Sequence, residues 1–155
     1  MLELVLVMVI IATVLAMAAP SLRRFFASRE TADEAASIVA LTQLARSQAV
    51  AEGRMYRLNF DLDEMKYWLT AQTEGAFTNL SSEFGRVFLL PEGAELKVEV
   101  EGSTDDRSYV SFYPSGRTEA ATITLTGRQG DSAEISCLSP TERYSVAAIA
   151  KGEQE

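Results

Sequence analysis

Residues 1–19 form one apolar stretch in which Glu3 is the only charged residue. At ~1.5 Å per residue, this stretch makes a helix of about 28 Å, close to the ~30 Å hydrocarbon core of a bilayer. It lacks the polar face that an amphipathic helix of a globular core would have. The pattern therefore predicts a membrane-spanning helix. A carboxylate inside such a helix is costly, so Glu3 is expected to be partnered or functional.

A second hydrophobic pattern follows Pro20, with apolar residues recurring at intervals of three and four. This period predicts an amphipathic helix that continues the first one, and Gly53 is a natural stop signal for it. A single helix from Leu2 to Glu52 would be about 75 Å long. Pro20 removes one backbone hydrogen bond, which predicts a kink or local melting just before it. The alternative, in which Pro20 ends one helix and Ser21 caps the next, stays open.

From residue 54 onward the period changes to two, the spacing of strands with one buried face. Residues 54–60 and 65–70 alternate in this way on either side of an acidic turn, which predicts a β-hairpin. Further strands are predicted at 86–90, 95–101, 108–113, 121–126, 133–138 and 144–149. The predicted fold class is α+β, with a long N-terminal helix packed on a C-terminal antiparallel β domain. The predicted division is a membrane or filament-core helix at 1–20, an amphipathic stalk helix at 21–52 and a β domain at 53–155.

Composition narrows the possible functions. The net charge is −8 and Lys and Arg are scattered, which makes nucleic acid an unlikely partner. The local basic pair Arg23-Arg24 lies just past the apolar stretch, where it fits a lipid headgroup surface. The chain has no His, the commonest general base and transition-metal ligand, so we expect no enzyme activity and no catalytic, cofactor or metal site. Cys137 is the one cysteine, and strand alternation predicts that it is a buried thiol.

Two acidic clusters and one irregular segment complete the candidate sites. Asp61-x-Asp63-Glu64 and Asp105-Asp106 could offer oxygen ligands to Ca²⁺, but they fit solvated turns better because neither has an EF-hand loop's length or glycine placement. Residues 72–85 are the longest stretch without clear periodicity, and we predict a loop there. The candidate subunit contacts in this loop are Phe77, Leu80 and Phe84. Trp68 and Tyr67 are further candidates, although one face of their hairpin must be core.

Two features of the chain resemble a known family. Leu2-Glu3, followed by an unbroken apolar helix and by Pro20 seventeen residues after the glutamate, resembles the start of type IV pilins and type II secretion pseudopilins. The run Phe112-Tyr113-Pro114-Ser115-Gly116, followed by predicted strands, resembles the C-terminal signature of GspH-type and FimT/FimU-type minor pilins. The family's usual mature start is Phe-Thr-Leu-x-Glu after a short basic leader ending in Gly, whereas this chain has Met1-Leu2-Glu3. We expect that either the start codon lies further upstream or the chain was trimmed and Met1 added.

The resemblance implies a pilin-like fold and a function in assembly. It implies that Glu3 pairs with the N-terminal amine of a neighbouring subunit and sets its register, and that the helix bends around Pro20. The implied partners are other pilin-like subunits, the inner-membrane assembly platform and, if the leader exists, prepilin peptidase. The implied location is the bacterial inner membrane, with a single span and a periplasmic C-terminal domain. Three functions stay open: a minor pseudopilin at the tip of a type II secretion pseudopilus, a FimT/FimU-like minor pilin for adhesion, motility or DNA uptake, and a membrane-anchored periplasmic binding domain.

Overall fold

The computed structural model describes residues 2–80, 83–102 and 108–150, and side chains are described for these residues except 2, 17–28, 83 and 148–149. One helix, α1, runs from Leu2–Glu52 and is assigned without interruption across Pro20. It ends where Gly53 adopts a φ of 66°, a left-handed conformation that glycine tolerates, so the predicted stop is confirmed. The bend at Pro20 stays a prediction. Within the described residues, no helical stretch combines the length and the hydropathy that a membrane-spanning segment requires.

Within residues 53–80, 83–102 and 108–150, nine strands follow α1, and both sheets they form are antiparallel. The strands are β1 Tyr56–Asp61, β2 Lys66–Thr73, β3 Ala76–Asn79, β4 Phe88–Leu89, β5 Glu95–Val100, β6 Tyr109–Phe112, β7 Ala121–Thr126, β8 Ser132–Cys137 and β9 Ser145–Ala150. The first sheet has the order β3-β2-β1-β6, with β4 also pairing with β2. The second sheet has the order β5-β7-β8-β9. The predicted α+β class, with a helix packed on antiparallel strands, is confirmed.

The second half of α1 packs against strands of both sheets, namely β1 and β6 of the first and β7, β8 and β9 of the second. Its buried face begins at Thr31 and includes four completely buried apolar residues at helical spacing, which are Ala35, Ile38, Ala45 and Ala49. Three of these are alanines, so the strands approach the helix closely. The facing strands contribute fully buried larger side chains: Leu58, Leu69, Val110, Ile123 and Ile135. One continuous hydrophobic core therefore joins the stalk half of α1 to both sheets.

The prediction of a loop at residues 72–85 is wrong. Strand β2 extends to Thr73, and β3 returns alongside it after a two-residue turn at Glu74 and Gly75. Both turn residues have positive φ, 51° and 88°, which is the conformation of the tight hairpin turn whose twist matches the flanking strands. A short 3₁₀ helix follows at Glu83–Gly85. The predicted strand at 86–90 shrinks to β4, and the other predicted strands agree to within a few residues.

Candidate assembly surfaces

In the N-terminal half of α1, the described segment 4–15 presents apolar side chains to every side. Among the described residues, the large apolar side chains between Leu4 and Leu15 are all about half exposed or more, from 47% at Val7 to 65% at Leu4. The hydroxyl of Thr13 donates hydrogen bonds back to the carbonyls of Val9 and Ile10, at 3.0 and 2.8 Å. Its polarity is thus satisfied within the helix, which suits an environment without water.

Glu3 is exposed and lies in the first turn of α1. A carboxylate at this end of a helix is favoured by the partial positive charge of the unpaired backbone N–H groups. Beyond Glu3 and Thr13, the described side chains of this half have no polar groups. An apolar surface that surrounds a helix on all sides needs lipid or other helices around it, because water is a poor solvent for it.

A groove between α1 and the first sheet contains two of the three predicted contact residues. Leu80 and Phe84 line it opposite Leu44 and Gln48 of α1, and its volume is about 310 Å³. Phe84 is 48% exposed, whereas Leu80 is half-buried against the core. The structure therefore brings Leu80 and Phe84 together beside the stalk, where a side chain from another molecule could enter. Their role as subunit contacts stays a prediction.

Phe77 lies apart from this groove. Its ring stacks under the guanidinium of Arg57, whose Cζ is 3.6 Å from the ring centroid, and Tyr109 stacks on the same guanidinium at 4.3 Å. Arg57 alternates with the buried Tyr56 and Leu58, so this stack lies on the face of the first sheet that turns away from α1. Phe77 can therefore contact a neighbour only on a different side of the domain from Phe84.

The two aromatic candidates on β2 differ in exposure. Tyr67 is completely buried, so it is not available as a contact residue. Its hydroxyl donates a 2.6 Å hydrogen bond to Oε1 of Glu34 on α1. Burial, and then the neighbouring Glu34, raise the pKa of the Tyr67 hydroxyl above its ordinary range. Trp68 is half-buried on the opposite face, with the ammonium of Lys66 5.7 Å from its ring centroid.

A polar cluster fastens the C-terminal end of α1 to the first sheet. The hydroxyl of Tyr56 and the Nε–H of Arg54 both donate to Oε2 of Glu52, at 2.6 and 2.5 Å. Arg54 also donates to Oγ1 of Thr73 on β2, at 3.1 Å. The hydrogen bond from Tyr56, followed by the one from Arg54, holds the pKa of the Glu52 carboxyl below its usual range. Glu52 therefore stays ionised at neutral pH. Its side chain lines the same groove as Phe84.

A second groove lies on the other flank of α1, where the chain enters β9. It has a volume of about 440 Å³, with Val50, 54% exposed, in its wall. Arg46 of α1 donates from its two terminal nitrogens to the backbone carbonyls of Glu142 and Thr141, at 2.5 and 3.0 Å. These bonds fix the segment before β9 to the stalk. Arg46 therefore has a structural role that the sequence pattern did not indicate.

Phe112, the first residue of the Phe112 to Gly116 run, lines this second groove. The N–H of Gly116 donates to the carbonyl of Tyr113, and the N–H of Tyr113 to the carbonyl of Arg117, both at 2.9 Å. Gly116 has a φ of 78°, as the left-handed position that closes such a three-residue hairpin requires. The predicted strand-turn unit is confirmed.

One close contact was missed from the sequence. Gly127, in the turn between β7 and β8, lies so near Thr31 of α1 that a Cβ at this position would overlap the threonine Oγ1. The carboxylate of Asp131 lies beside it, and the carbonyl of Asp131 accepts the N–H of Gly127 at 2.7 Å. The base of the stalk therefore rests on this turn, and the glycine in Thr126-Gly127-Arg128 was the available signal.

The acidic cluster at Asp61 to Glu64 and the cysteine Cys137 have local structural roles. Oδ1 of Asp61 accepts the backbone N–H groups of Asp63 and Glu64, at 3.1 and 2.8 Å, and this holds the pKa of Asp61 below its usual range. The turn interpretation of this cluster is confirmed. Cys137 is buried, as predicted, and burial raises the pKa of its thiol. Asp105-Asp106 and the side chains of Arg23-Arg24 lie outside the described residues.

Comparison with known proteins agrees with this architecture. Two structures of the minor pseudopilin EpsH from the type 2 secretion system of Vibrio cholerae have TM-scores of 0.65 and 0.66 and identities of 14% and 15%. They cover 77% and 83% of this chain and 97% and 99% of the EpsH chains. The type IV minor pilin FimU from Pseudomonas aeruginosa is similar at a TM-score of 0.58 and 14% identity, covering 79% of this chain and 94% of the FimU chain.

These identities show a shared fold, and no curated protein matches the chain in sequence. Residues 34–141 match the family described as "Type II transport protein GspH". The match runs from the stalk, through both sheets, to the segment that Arg46 holds. The predicted resemblance is confirmed: the chain belongs to the GspH family, and it shares its fold with the minor pseudopilin EpsH and the minor pilin FimU.

Proposed function

We propose that this chain is a minor pseudopilin of a type II secretion system. It is held in the inner membrane by residues 1–20, with its β domain in the periplasm, until it joins a pseudopilus near the tip and helps to drive protein export. The observation that carries the proposal is the division of α1. Residues 4–15 expose apolar side chains all round, whereas the second half of the helix is part of the domain core.

The proposed assembly step transfers the first half of α1 from lipid into a bundle of similar helices. Lipid tails and apolar helices are comparable solvents for side chains such as Leu4 and Ile11, so this transfer needs little free energy. Glu3 is different, because its charge gains from a positive partner. At an effective dielectric of about 20, a carboxylate ~4 Å from the N-terminal amine of a neighbour gains on the order of 4 kcal/mol before desolvation. This pairing would fix the axial register of the incoming subunit.

The proposed partners follow from the same step. They are other pilin-like subunits, the inner-membrane assembly platform that inserts them and, where a leader precedes the mature start, prepilin peptidase. Because the stalk half of α1 shares its core with both sheets, a displacement of the helix carries the β domain with it. The domain is then available to contact neighbouring domains on the filament surface.

The test compares Glu3→Ala with Asp33→Ala, which removes an exposed carboxylate from the stalk half of the same helix. Full-length variants are expressed in the native host, and their amounts are measured in the membrane fraction and in isolated filaments. We expect Glu3→Ala to reach the membrane and keep a folded, protease-resistant β domain, but to be depleted from filaments and to impair secretion. Asp33→Ala should behave like the wild type. Normal incorporation of Glu3→Ala would contradict the proposed pairing.

A minor pilin of a type IV pilus is the second candidate function. The similarity to FimU favours it, since the same fold serves that filament. The net charge of −8 argues against a role in DNA uptake, because phosphate backbones attract basic surfaces. The flanking genes discriminate between the two systems: secretion genes support the pseudopilus, and pilus genes support the pilin. A wild-type chain that enters no filament would support a membrane-anchored binding domain.

A further inference from the structure

We propose that the open edge of β9 pairs with an extended segment of a neighbouring, different pilin-like subunit, which adds a strand to the second sheet. The proposal rests on the proposed function, because it needs a filament neighbour. Among the described strands, β8 is the one that pairs with β9, so the other side of β9 presents unpaired backbone N–H and C=O groups. Such an edge is a template for strand addition.

The two edges of the second sheet differ in charge. Strand β5, at the opposite edge, carries exposed Glu95, Lys97 and Glu99, and the Lys97 ammonium lies 2.8 Å from the Glu99 carboxylate. Charges of this kind protect an edge strand against pairing with another chain. Strand β9 has the sequence SVAAIA and carries no charge and no proline. Of the two edges, the β5 edge is therefore the one that charged side chains protect.

The described side chains of β9, which are those of residues 145–147 and 150, are exposed. Ser145 and Val146 are consecutive and point to opposite faces of the sheet, and Ala147 lies at a bulge where the pairing with β8 shifts between Glu134 and Ile135; all three are exposed. Ala150, at the end of the strand, is exposed as well. The chain's own core thus leaves these described side chains uncovered, and the small side chains of Ser145, Ala147 and Ala150 present little steric hindrance to an approaching backbone.

The position of β9 beside α1 indicates where the added strand would come from. At the start of β9, Arg46 of α1 binds the segment that precedes the strand. At its end, Ala150 pairs with Ser132, the first residue of β8. The turn before Ser132 is the one that places Gly127 against Thr31 of α1. The edge therefore runs along α1 from the level of Arg46 to that of Thr31, toward the half of the helix that packs in the filament. The length of β9, roughly 20 Å for six strand residues, agrees with the distance along α1 from Thr31 to Arg46, roughly 22 Å for fifteen helical residues.

The occupant is a different subunit rather than a second copy of this chain. Each copy carries a net charge of −8, which opposes the approach of another copy. An uncharged edge with small side chains fits an extended segment whose side chains are also uncharged, since the backbone hydrogen bonds supply the affinity.

The experiment measures hydrogen–deuterium exchange at the β9 amides in the full-length chain, alone in detergent and in filaments with its partner subunits. We expect exchange in β9 to slow about tenfold or more in filaments. Val146→Lys should abolish this protection and weaken co-purification with the partners. Leu138→Lys is the matched control, because it changes another exposed apolar residue, outside β9, to the same charge. It should behave like the wild type.

The other outcomes overturn the proposal in distinguishable ways. If the wild type enters filaments while its β9 amides exchange as fast as in the isolated chain, the edge proposal fails and the proposed function stands. If the wild type enters no filament, both fail. If protection develops in the isolated chain as its concentration rises, the occupant is a second copy and the proposed partner is wrong. Equal loss of co-purification in Val146→Lys and Leu138→Lys would show a general effect of added charge.

Discussion

Ile38 on α1 provides the strongest test that the stalk helix and the sheets fold as one unit. Its side chain is completely buried, whereas Val50, twelve residues further along the same helix, is 54% exposed. Ile38→Ala removes three carbons from the core, worth about 2.4 kcal/mol at ~0.8 kcal/mol each, and the remaining cavity raises the expected cost to about 3 kcal/mol. Val50→Ala should cost less than about 0.5 kcal/mol, as for most surface substitutions.

The assay is urea unfolding of the full-length chain in detergent, followed by the fluorescence of Trp68. This is the chain's single tryptophan and lies on β2, so it reports the first sheet rather than the helix. We expect Ile38→Ala to lower the urea midpoint with little change in slope, and Val50→Ala to leave both unchanged. A Trp68 transition that stays at the wild-type midpoint while the helical signal of Ile38→Ala falls would refute the shared core.

Two further predictions concern the glycine contact and the buried tyrosines. Gly127→Ala should destabilise the domain by about 1–3 kcal/mol in the same urea assay, because the new Cβ overlaps Thr31 Oγ1 and lies 2.9 Å from Asp131 Oδ2. Adding Thr31→Ala should recover part of the lost stability. A Gly127→Ala variant as stable as the wild type would contradict the close contact. Burial raises the pKa of Tyr67 and of Tyr144 above the unfolded value, so above about pH 10 the unfolded chain loses these protons first and stability falls by up to ~1.4 kcal/mol per pH unit per tyrosine. Tyr67→Phe should make the loss of stability above about pH 10 shallower. An unchanged dependence of stability on pH would contradict the proposed contribution of Tyr67.

Periodicity predicted most of the β domain because its strands have one buried face. Strand β7 was predicted at its observed bounds, since Ala121, Ile123 and Leu125 are buried and the residues between them are not. Strand β3 was missed for two reasons. It has only four residues, and its turn places Glu74, rather than Asn, Asp or Gly, at a positive φ. The conformation of Glu74 follows from the pairing of β2 with β3, which local sequence preference does not contain.

The candidate surfaces were harder to predict than the fold. Leu80 and Phe84 were chosen because they lie in an irregular segment, but their meeting with Leu44 and Gln48 depends on how the helix crosses the first sheet. Tyr67 was misjudged as an exposed aromatic, since a buried hydroxyl needs a partner and its partner, Glu34, is 33 residues away in the chain. Contacts of this kind are set by tertiary packing and leave no periodic trace.

The length of α1 connects the proposed anchor to the open edge of β9. Among the described side chains of α1, burial begins at Thr31, and the 28 residues from Glu3 to Glu30 make about 42 Å of helix. In the proposed inner-membrane placement, the hydrocarbon core of the bilayer would take up ~30 Å of this length, from Glu3 to about residue 23. About 10 Å of helix then separates the headgroups from the domain. On the proposed placement, the end of β9 that lies near Thr31 of α1 faces this gap rather than the lipid. A neighbouring subunit can therefore reach the β9 edge while the N-terminal helices of both subunits are still in the membrane.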